Sequence, residues 1–198
     1  MHYSTKILIV DDEQNIRDVL EQIISRGLSG TTPLFIHAEH GQVALDILKK
    51  NPDVDVITLD LNMPVMDGFE TLARLRADLR LQTIPVFVFS GNKNDATKAL
   101  KLGARDFINK PGDYNEIKIR VLNLIESKRR AEAGELAKTN FFSTISHELR
   151  TPMNGVEGAA QLLQTTELTD EQTEYVEMLE KSANDMIRAI AYNFADSE

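Results

Sequence analysis

Five polar residues stand where they could act together. Asp11 and Asp12 follow the apolar run "KILIV" (6–10), and Asp60 follows "VDVITL" (54–59). Ser90 follows "PVFVF" (85–89), and Lys110 follows "DFIN" (106–109). If these runs are neighbouring strands, three carboxylates share one rim and repel one another, which recruits a hard cation. Mg²⁺ suits such a place, because it prefers oxygen ligands and keeps waters for an incoming phosphoryl group. A lysine across the site neutralises one phosphoryl oxygen as a point charge, and a hydroxyl can donate to another. Phosphoryl transfer needs little beyond positioning and charge cancellation. The nucleophile would be a carboxylate, giving an acyl phosphate. Any one of these aspartates alone reads better as a polar loop residue. Five residues of fitting type at four strand ends do not.

The stretch "FFSTISHELRTPMNG" (141–155) holds a second candidate, His147, with Glu148 beside it and Pro152 five residues on. A zinc reading fails on spacing, since H-E-x-x-H requires histidine at position 151 and the residue there is Thr151. A core reading fails on phase: His147 is two residues from both Ile145 and Leu149, off the apolar heptad stripe. What is left is an exposed imidazole beside a carboxylate. It is either an ordinary surface histidine or a nucleophile near pH 7 that Glu148 orients or relieves of a proton. Pro152 removes a backbone donor and loosens the helix beside it. His37 and His40 form an H-x-x-H pair across an expected strand end and helix start, a motif too short to carry a metal site.

The elements that must position these residues fall into two kinds. Up to residue 112, short apolar runs at 6–10, 33–38, 54–59, 85–89 and 106–109 alternate with helical patterns near 14–26, 40–50, 67–77 and 93–102. That alternation predicts an α/β fold with a doubly wound, five-stranded parallel sheet covered on both faces. Ligands of such folds bind at the carboxyl ends of the strands. From Asp113 to Thr151 there is no proline and one glycine, Gly134. A single helix over that span is on the order of 55–60 Å long. Asp113 with Glu116, and Thr169 with Gln172, read as capping boxes on either side of a turn near 164–169. Heptad spacing runs through Phe142, Ile145, Leu149, Val156, Ala159 and Leu163, with Pro152 filling one slot, and again through Val176, Leu179, Ala183, Met186, Ile190 and Asn193. One hairpin has too narrow a stripe for its own core, so a homodimer forming a four-helix bundle is expected. The expected organisation is a domain over 1–128, a helical connector over 129–140 and a hairpin over 141–198.

Composition excludes several classes. The formal net charge is −9, and the densest basic run, "KRR" at 128–130, is flanked by Glu126 and Glu132, so it reads as a solvated helix face. Nucleic-acid binding through a basic surface is disfavoured. With no cysteine, neither a disulfide framework nor a Cys-based zinc site can form, which fits a reducing, cytoplasmic setting. No run reaches membrane-spanning length, and no signal-peptide pattern opens the chain.

With "ILIVDDE", "LDLNMPVMDG", "VFVFSGN" and "GARDFINKP" in place, residues 4–128 resemble a response-regulator receiver domain, whose fold is flavodoxin-like. That resemblance implies Asp60 as phosphoacceptor and Asp12 and Asp60 as Mg²⁺ ligands. It also implies Asp11 binding through water and the Asn62 backbone carbonyl as a further ligand. By the same likeness Ser90 and Lys110 read the phosphoryl group. Phe107 takes the place of the switch aromatic, without a tyrosine hydroxyl. Residues 136–195 resemble the dimerisation and phosphoacceptor domain of histidine kinases, strongest at "FFSTISHELRTPMNG". This implies His147 as phosphohistidine site, Glu148 as assisting base and Thr151 as the residue that positions water.

The expected function is therefore a two-component phosphorelay protein. The alternative is a receiver-controlled dimerisation scaffold with His147 vestigial. The ATP-binding motifs of such kinases are absent, and there is no nucleotide site or P-loop. An upstream phosphodonor kinase or ATP-binding domain is expected, with a downstream receiver or phosphotransfer protein. The end at "AYNFADSE", within a helical pattern, favours a piece of a longer hybrid kinase over a complete phosphotransfer protein. On a straight helix His147 lies about 50 Å from Asp113. Direct exchange between Asp60 and His147 then requires a bend, at Gly134 for example, or a partner subunit. Regulation of the helical dimer by phosphorylated Asp60 is the expectation.

Overall fold

A computed structural model describes residues 4–28 and 32–195; the side chains of 142 and 189–195 lie outside that description. The order is β1 (Lys6–Val10), α1 (Gln14–Ser25), β2 (Leu34–Ala38), α2 (Gly41–Lys50), β3 (Val56–Leu59) and α3 (Gly68–Ala77). There follow β4 (Val86–Ser90), a 3₁₀ turn (Lys93–Asp95), α4 (Ala96–Lys101), β5 (Asp106–Asn109), α5 (Tyr114–Gln164) and α6 (Asp170–Ala195). The strands form one sheet in the order β2-β1-β3-β4-β5, with every neighbouring pair parallel. Each expected strand and helix is present, with ends displaced by a few residues at most. The chain divides into two compact units, residues 1–131 and 132–198.

The central strands are apolar at nearly every position because both of their faces are covered. Alternate residues point to opposite faces. Leu8, Val10, Ile57, Leu59, Val86 and Val88 pack under Leu45 and Leu48 of α2 and Leu72 and Leu75 of α3. Ile7, Ile9, Val56, Phe87 and Ile108 pack under Leu20, Ile23 and Ile24 of α1 and Ile117, Val121 and Ile125 of α5. Ile117, Val121 and Ile125 recur every fourth residue, one rung per helical turn.

The next rung of α5 is cationic. Lys128 Nζ donates to the Val54 carbonyl at 2.7 Å, and Arg129 Nη2 donates to the buried Thr5 hydroxyl at 2.7 Å. Arg129 Nε also lies 3.7 Å from Asp55, whose other oxygen accepts from the Lys6 amide at 2.8 Å. The basic run is thus a solvated face only at Arg130, which pairs with Glu126 at 3.0 Å. A run of charge read alone cannot reveal that strand entrances with unpaired acceptors lie beneath it.

The expected capping boxes are met unequally. At Thr169 both halves form: Thr169 N donates to Gln172 Oε1 at 3.0 Å, and Gln172 N donates to Thr169 Oγ1 at 3.3 Å. At Asp113 only the forward bond exists, from Glu116 N at 2.9 Å, because the Glu116 carboxylate pairs with Arg120 at 2.6 Å. A charge-assisted i,i+4 bond outcompetes the reach back to the cap.

Among the described residues of the hairpin unit, those buried are Ser146, Ala160, Val176 and Ala183, the last two at expected heptad positions of α6. Much of the expected stripe faces outward, with Leu149 40%, Val156 39%, Leu163 45%, Leu179 50% and Met186 48% exposed. The seam inside one hairpin runs through Ser146 and Ala160, one residue on from the heptad positions read in the sequence. Phe142, Ile190 and Asn193 fall outside the described side chains.

Candidate functional site

The carboxyl rim of the sheet brings four of the five predicted residues together, and Ser90 ends β4 at the same rim. β1 delivers Asp11 and Asp12, and β3 delivers Asp60. The Asp11 amide donates to the Ala38 carbonyl at 3.1 Å and the Asp60 amide to the Val10 carbonyl at 2.9 Å, so sheet bonds hold both residues up to the rim. One ligand oxygen from each of Asp11, Asp12 and Asp60 lies within 4.8 Å of the others. Lys110 Nζ bridges two of them, 2.6 Å from Asp11 Oδ2 and 3.1 Å from Asp60 Oδ1. Asp11 and Asp60 are buried, whereas Asp12 is exposed.

Burial pushes the Asp60 carboxyl above the ordinary aspartate range; Lys110 opposes this and the neighbouring Asp11 adds to it. For Lys110, burial alone acts downward, but the hydrogen bond to Asp11 and the charges of Asp11 and Asp60 outweigh it and hold the ammonium above its usual range. Asp60 Oδ2 accepts from the Asn62 amide at 3.0 Å, while Oδ1 meets no aligned donor. The Ser90 hydroxyl is fully buried and also meets no partner. A trio of carboxylates with one oxygen of each within 4.8 Å of the others fits a hard divalent cation. Phe107 is half-buried against the side of the core that carries α2, α3 and α4.

Two further features escaped the sequence reading. The loop after Asp60 folds back on it: Gly68 N donates to the Leu61 carbonyl at 3.0 Å, and a Cβ on Gly68 would fall 2.3 Å from the Asp60 carbonyl oxygen. Within that loop Val65 has φ 66 and is 82% exposed, spanned by a Met66 amide bond to the Pro64 carbonyl at 2.7 Å. A β-branched residue there costs about 1–3 kcal/mol of backbone strain. The second feature is Arg17 of α1, whose Nη1 donates to the Asp11 carbonyl at 2.6 Å and lies 3.3 Å from the Asp12 carbonyl. A lone arginine in a helical pattern gives no signal of such a bond.

The remaining candidates lie elsewhere. His147 and Glu148 are exposed on α5, and helix continues across Pro152 to Gln164. Thr151 Oγ1 donates to the His147 carbonyl at 3.2 Å. Pro152 has no amide proton for the Glu148 carbonyl one turn back. The histidine pair separates into two structural roles: His37 Nε2 sits 2.9 Å from Glu21, and His40 Nδ1 accepts from the Val43 amide at the start of α2. Among the described residues neither joins a cluster of three metal-ligating side chains.

Residues 7–122 match the family described as response regulator receiver domain, and residues 137–192 match the His Kinase A (phospho-acceptor) domain. The chain is 36% identical over 108 residues to a chemotaxis protein CheY homolog of Campylobacter jejuni, covering 54% of this chain and 81% of that protein. It is 38% identical over 145 residues to a protein-glutamate methylesterase/protein-glutamine glutaminase of Dechloromonas aromatica, spanning 70% of this chain and 39% of that one. Among solved structures, the receiver domain of a signal transduction histidine kinase from Syntrophus aciditrophicus superposes with a TM-score of 0.55 at 29% identity, covering 63% of this chain and 92% of that one.

Proposed function

The chain belongs to the response regulator receiver family and carries a His Kinase A phospho-acceptor domain, two parts of two-component phosphorelay signalling, and from that premise we propose that it accepts phosphoryl groups at two residues, Asp60 and His147. In this reading residues 1–128 are the receiver, 129–140 the connector and 141–198 the phosphotransfer hairpin. The observation that carries it is the convergence of Asp11, Asp12 and Asp60 around one point with Lys110 bridging two of them.

An Asp60 oxygen attacks the phosphorus of a donor, the bond to the leaving group breaks with its electron pair, and an acyl phosphate forms on Asp60. Lys110 exchanges from Asp11 onto a phosphoryl oxygen. The Ser90 hydroxyl, buried without a partner, donates to another. Phe107 follows Ser90 by packing alone, since it has no hydroxyl to hydrogen-bond. Asp12, Asp60 and the Asn62 carbonyl, with Asp11 through water, would hold Mg²⁺. When bound, Mg²⁺ cancels negative charge as the donor approaches.

At the second site His147 is open to solvent, as a group that meets a separate donor must be. Glu148 assists as base, and Thr151 serves water-directed removal of the phosphoryl group from a partner receiver. The outward apolar residues of the hairpin support a homodimer that closes them into a four-helix bundle. Phosphorylation of Asp60 regulates that dimer. The upstream donor is a kinase or ATP-binding domain, the downstream acceptor a receiver or phosphotransfer protein. The absence of cysteine suits a cytoplasmic setting, and no described helix is long and apolar enough to cross a membrane.

The test supplies a small acyl phosphate with Mg²⁺, then separately a histidine kinase ATP-binding domain with ATP, and reads intact mass. The reading predicts base-labile phosphate that Asp60→Ala removes and acid-labile, base-stable phosphate that His147→Ala removes. No acyl phosphate in the wild type would refute the receiver role. Its presence without any phosphohistidine would leave a dimerisation scaffold.

A further inference from the structure

We propose that Arg17 is a positioning residue for the divalent-cation site, holding the two acidic residues after β1 by their main chain; this rests on the receiver reading above.

Three carboxylates around one point push the turn that carries two of them outward. Asp11 is restrained on every side. Its amide is in the sheet bonding, Oδ1 accepts from the Glu13 amide at 3.0 Å, and Oδ2 accepts from Lys110 at 2.6 Å. Asp12 is different: it is exposed, and among the described residues no donor meets its carboxylate. Its direction depends on the peptide planes on either side of it. Arg17 Nη1 contacts the carbonyls of both planes, at 2.6 Å for Asp11 and 3.3 Å for Asp12. Because a peptide unit is planar, fixing two successive carbonyls fixes the Cα–Cβ direction between them.

The choice of acceptor matters. A cation on the carboxylates would compete with a metal for its ligands, as Lys110 does at Asp11. Arg17 binds carbonyl oxygens instead and leaves the Asp12 carboxylate open. It does so although its Nε is buried without a hydrogen-bond partner. Nor does Arg17 cap α1, because a guanidinium only donates and the open groups at a helix N-terminus are themselves N–H donors. The two N–H bonds of Nη1 lie in the rigid guanidinium plane and so fix the directions of both contacts, whereas the donors of an ammonium rotate freely on a flexible stem.

The experiment titrates Mg²⁺ into the full chain by calorimetry for wild type, Arg17→Ala and Arg17→Lys, with thermal unfolding in chelator as the folding control. Loss of a residue that orients metal ligands weakens binding about tenfold or more, so Arg17→Ala is expected to shift the Mg²⁺ dissociation constant by that factor, with Arg17→Lys between. A metal-free readout accompanies it. The Glu13 amide should exchange with solvent faster in Arg17→Ala, while the amides of Ile7–Val10 keep their protection. A folded Arg17→Ala that binds Mg²⁺ within about threefold of wild type overturns the proposal, as does a loss of protection spread evenly through β1. If Arg17→Ala does not fold, Arg17→Lys decides, with unchanged affinity against the proposal and weakened affinity for it. A wild type that binds no Mg²⁺ rejects the receiver reading itself, and so differs from a wild type and variant that bind alike.

Discussion

The two units of this chain solve opposite problems. Residues 1–131 contain eighteen Lys and Arg against eighteen Asp and Glu, while residues 132–198 contain four against thirteen and so carry the whole net charge of −9. The first unit encloses large aliphatic side chains on both faces of its sheet and keeps its reactive candidate, Asp60, 4% exposed. The second buries mainly small residues, turns leucines and methionines outward, and leaves its reactive candidate, His147, in solvent. A buried nucleophile needs a complete core around it to set its charge environment. An exposed one needs only a firm helix and access. The receiver unit therefore has its packing within one chain, and the hairpin unit turns an apolar face outward.

The largest effect expected from this contrast is on association. Replacing Val156 and Leu179 together by glutamate places two charges on the face assigned to the dimer, each desolvated at a cost of several kcal/mol. Sedimentation should then show a monomer at concentrations where wild type is dimeric, with the receiver unit still folded. An unchanged dimer would show that the outward stripe is not the interface. A truncation inside the first unit is the matching test. Ile117→Ala empties a fully buried site of α5 and is expected to cost about 2–5 kcal/mol, read as a lower midpoint in chemical unfolding.

The charge asymmetry gives a third prediction. Two hairpins of like charge repel, and salt screens exposed charges over about 10 Å at 0.1 M. Raising ionic strength should therefore tighten the dimer, by about tenfold between low and physiological salt if repulsion is a kcal/mol-scale term. A dimer that salt weakens would point to intermolecular ion pairs.

A smaller effect concerns Asp60 itself. Its carboxyl is held above the ordinary range by burial, so the folded state binds its proton more tightly than the unfolded state. The stability from that proton is fully present below the unfolded pKa and is lost as pH rises through the folded pKa. Asp60→Asn removes the charged form, so in chelator it should stabilise the protein at neutral pH. The gain should vanish in acid below the ordinary aspartate pKa, where wild type is protonated in both states. Paired melts of the two proteins across that range check the sign. Smallest of all is Arg129→Ala, which removes the bond to Thr5 and the approach to Asp55 and should cost about 1 kcal/mol. Any larger loss would make the cationic rung of α5 a principal support of the sheet.

Legibility in the sequence follows the same divide. The strands were readable because a sheet covered on both faces demands unbroken apolar runs, and the rim residues because each directly follows such a run. Asp11, Asp12, Asp60 and Lys110 converge, and Ser90 ends β4 with its hydroxyl buried. Contacts made by long cationic side chains were not readable. Arg17, Lys128 and Arg129 each reach a backbone carbonyl or a hydroxyl distant in sequence or around a turn, and nothing in residue type marks which acceptors stand open. The hairpin was half readable. Its heptads named Val176 and Ala183 of α6, which are buried, but on α5 the buried positions are Ser146 and Ala160, small residues that pattern reading passes over.

The central claim is that one polypeptide holds two phosphate acceptors of different chemistry. The most direct measurement is site-resolved mass spectrometry of the full chain after phosphorylation by a small acyl phosphate with Mg²⁺ and, separately, by an ATP-binding kinase domain. The account predicts phosphate on Asp60 in the first case and on His147 in the second. Phosphate confined to other residues, with both of these unmodified, would contradict it.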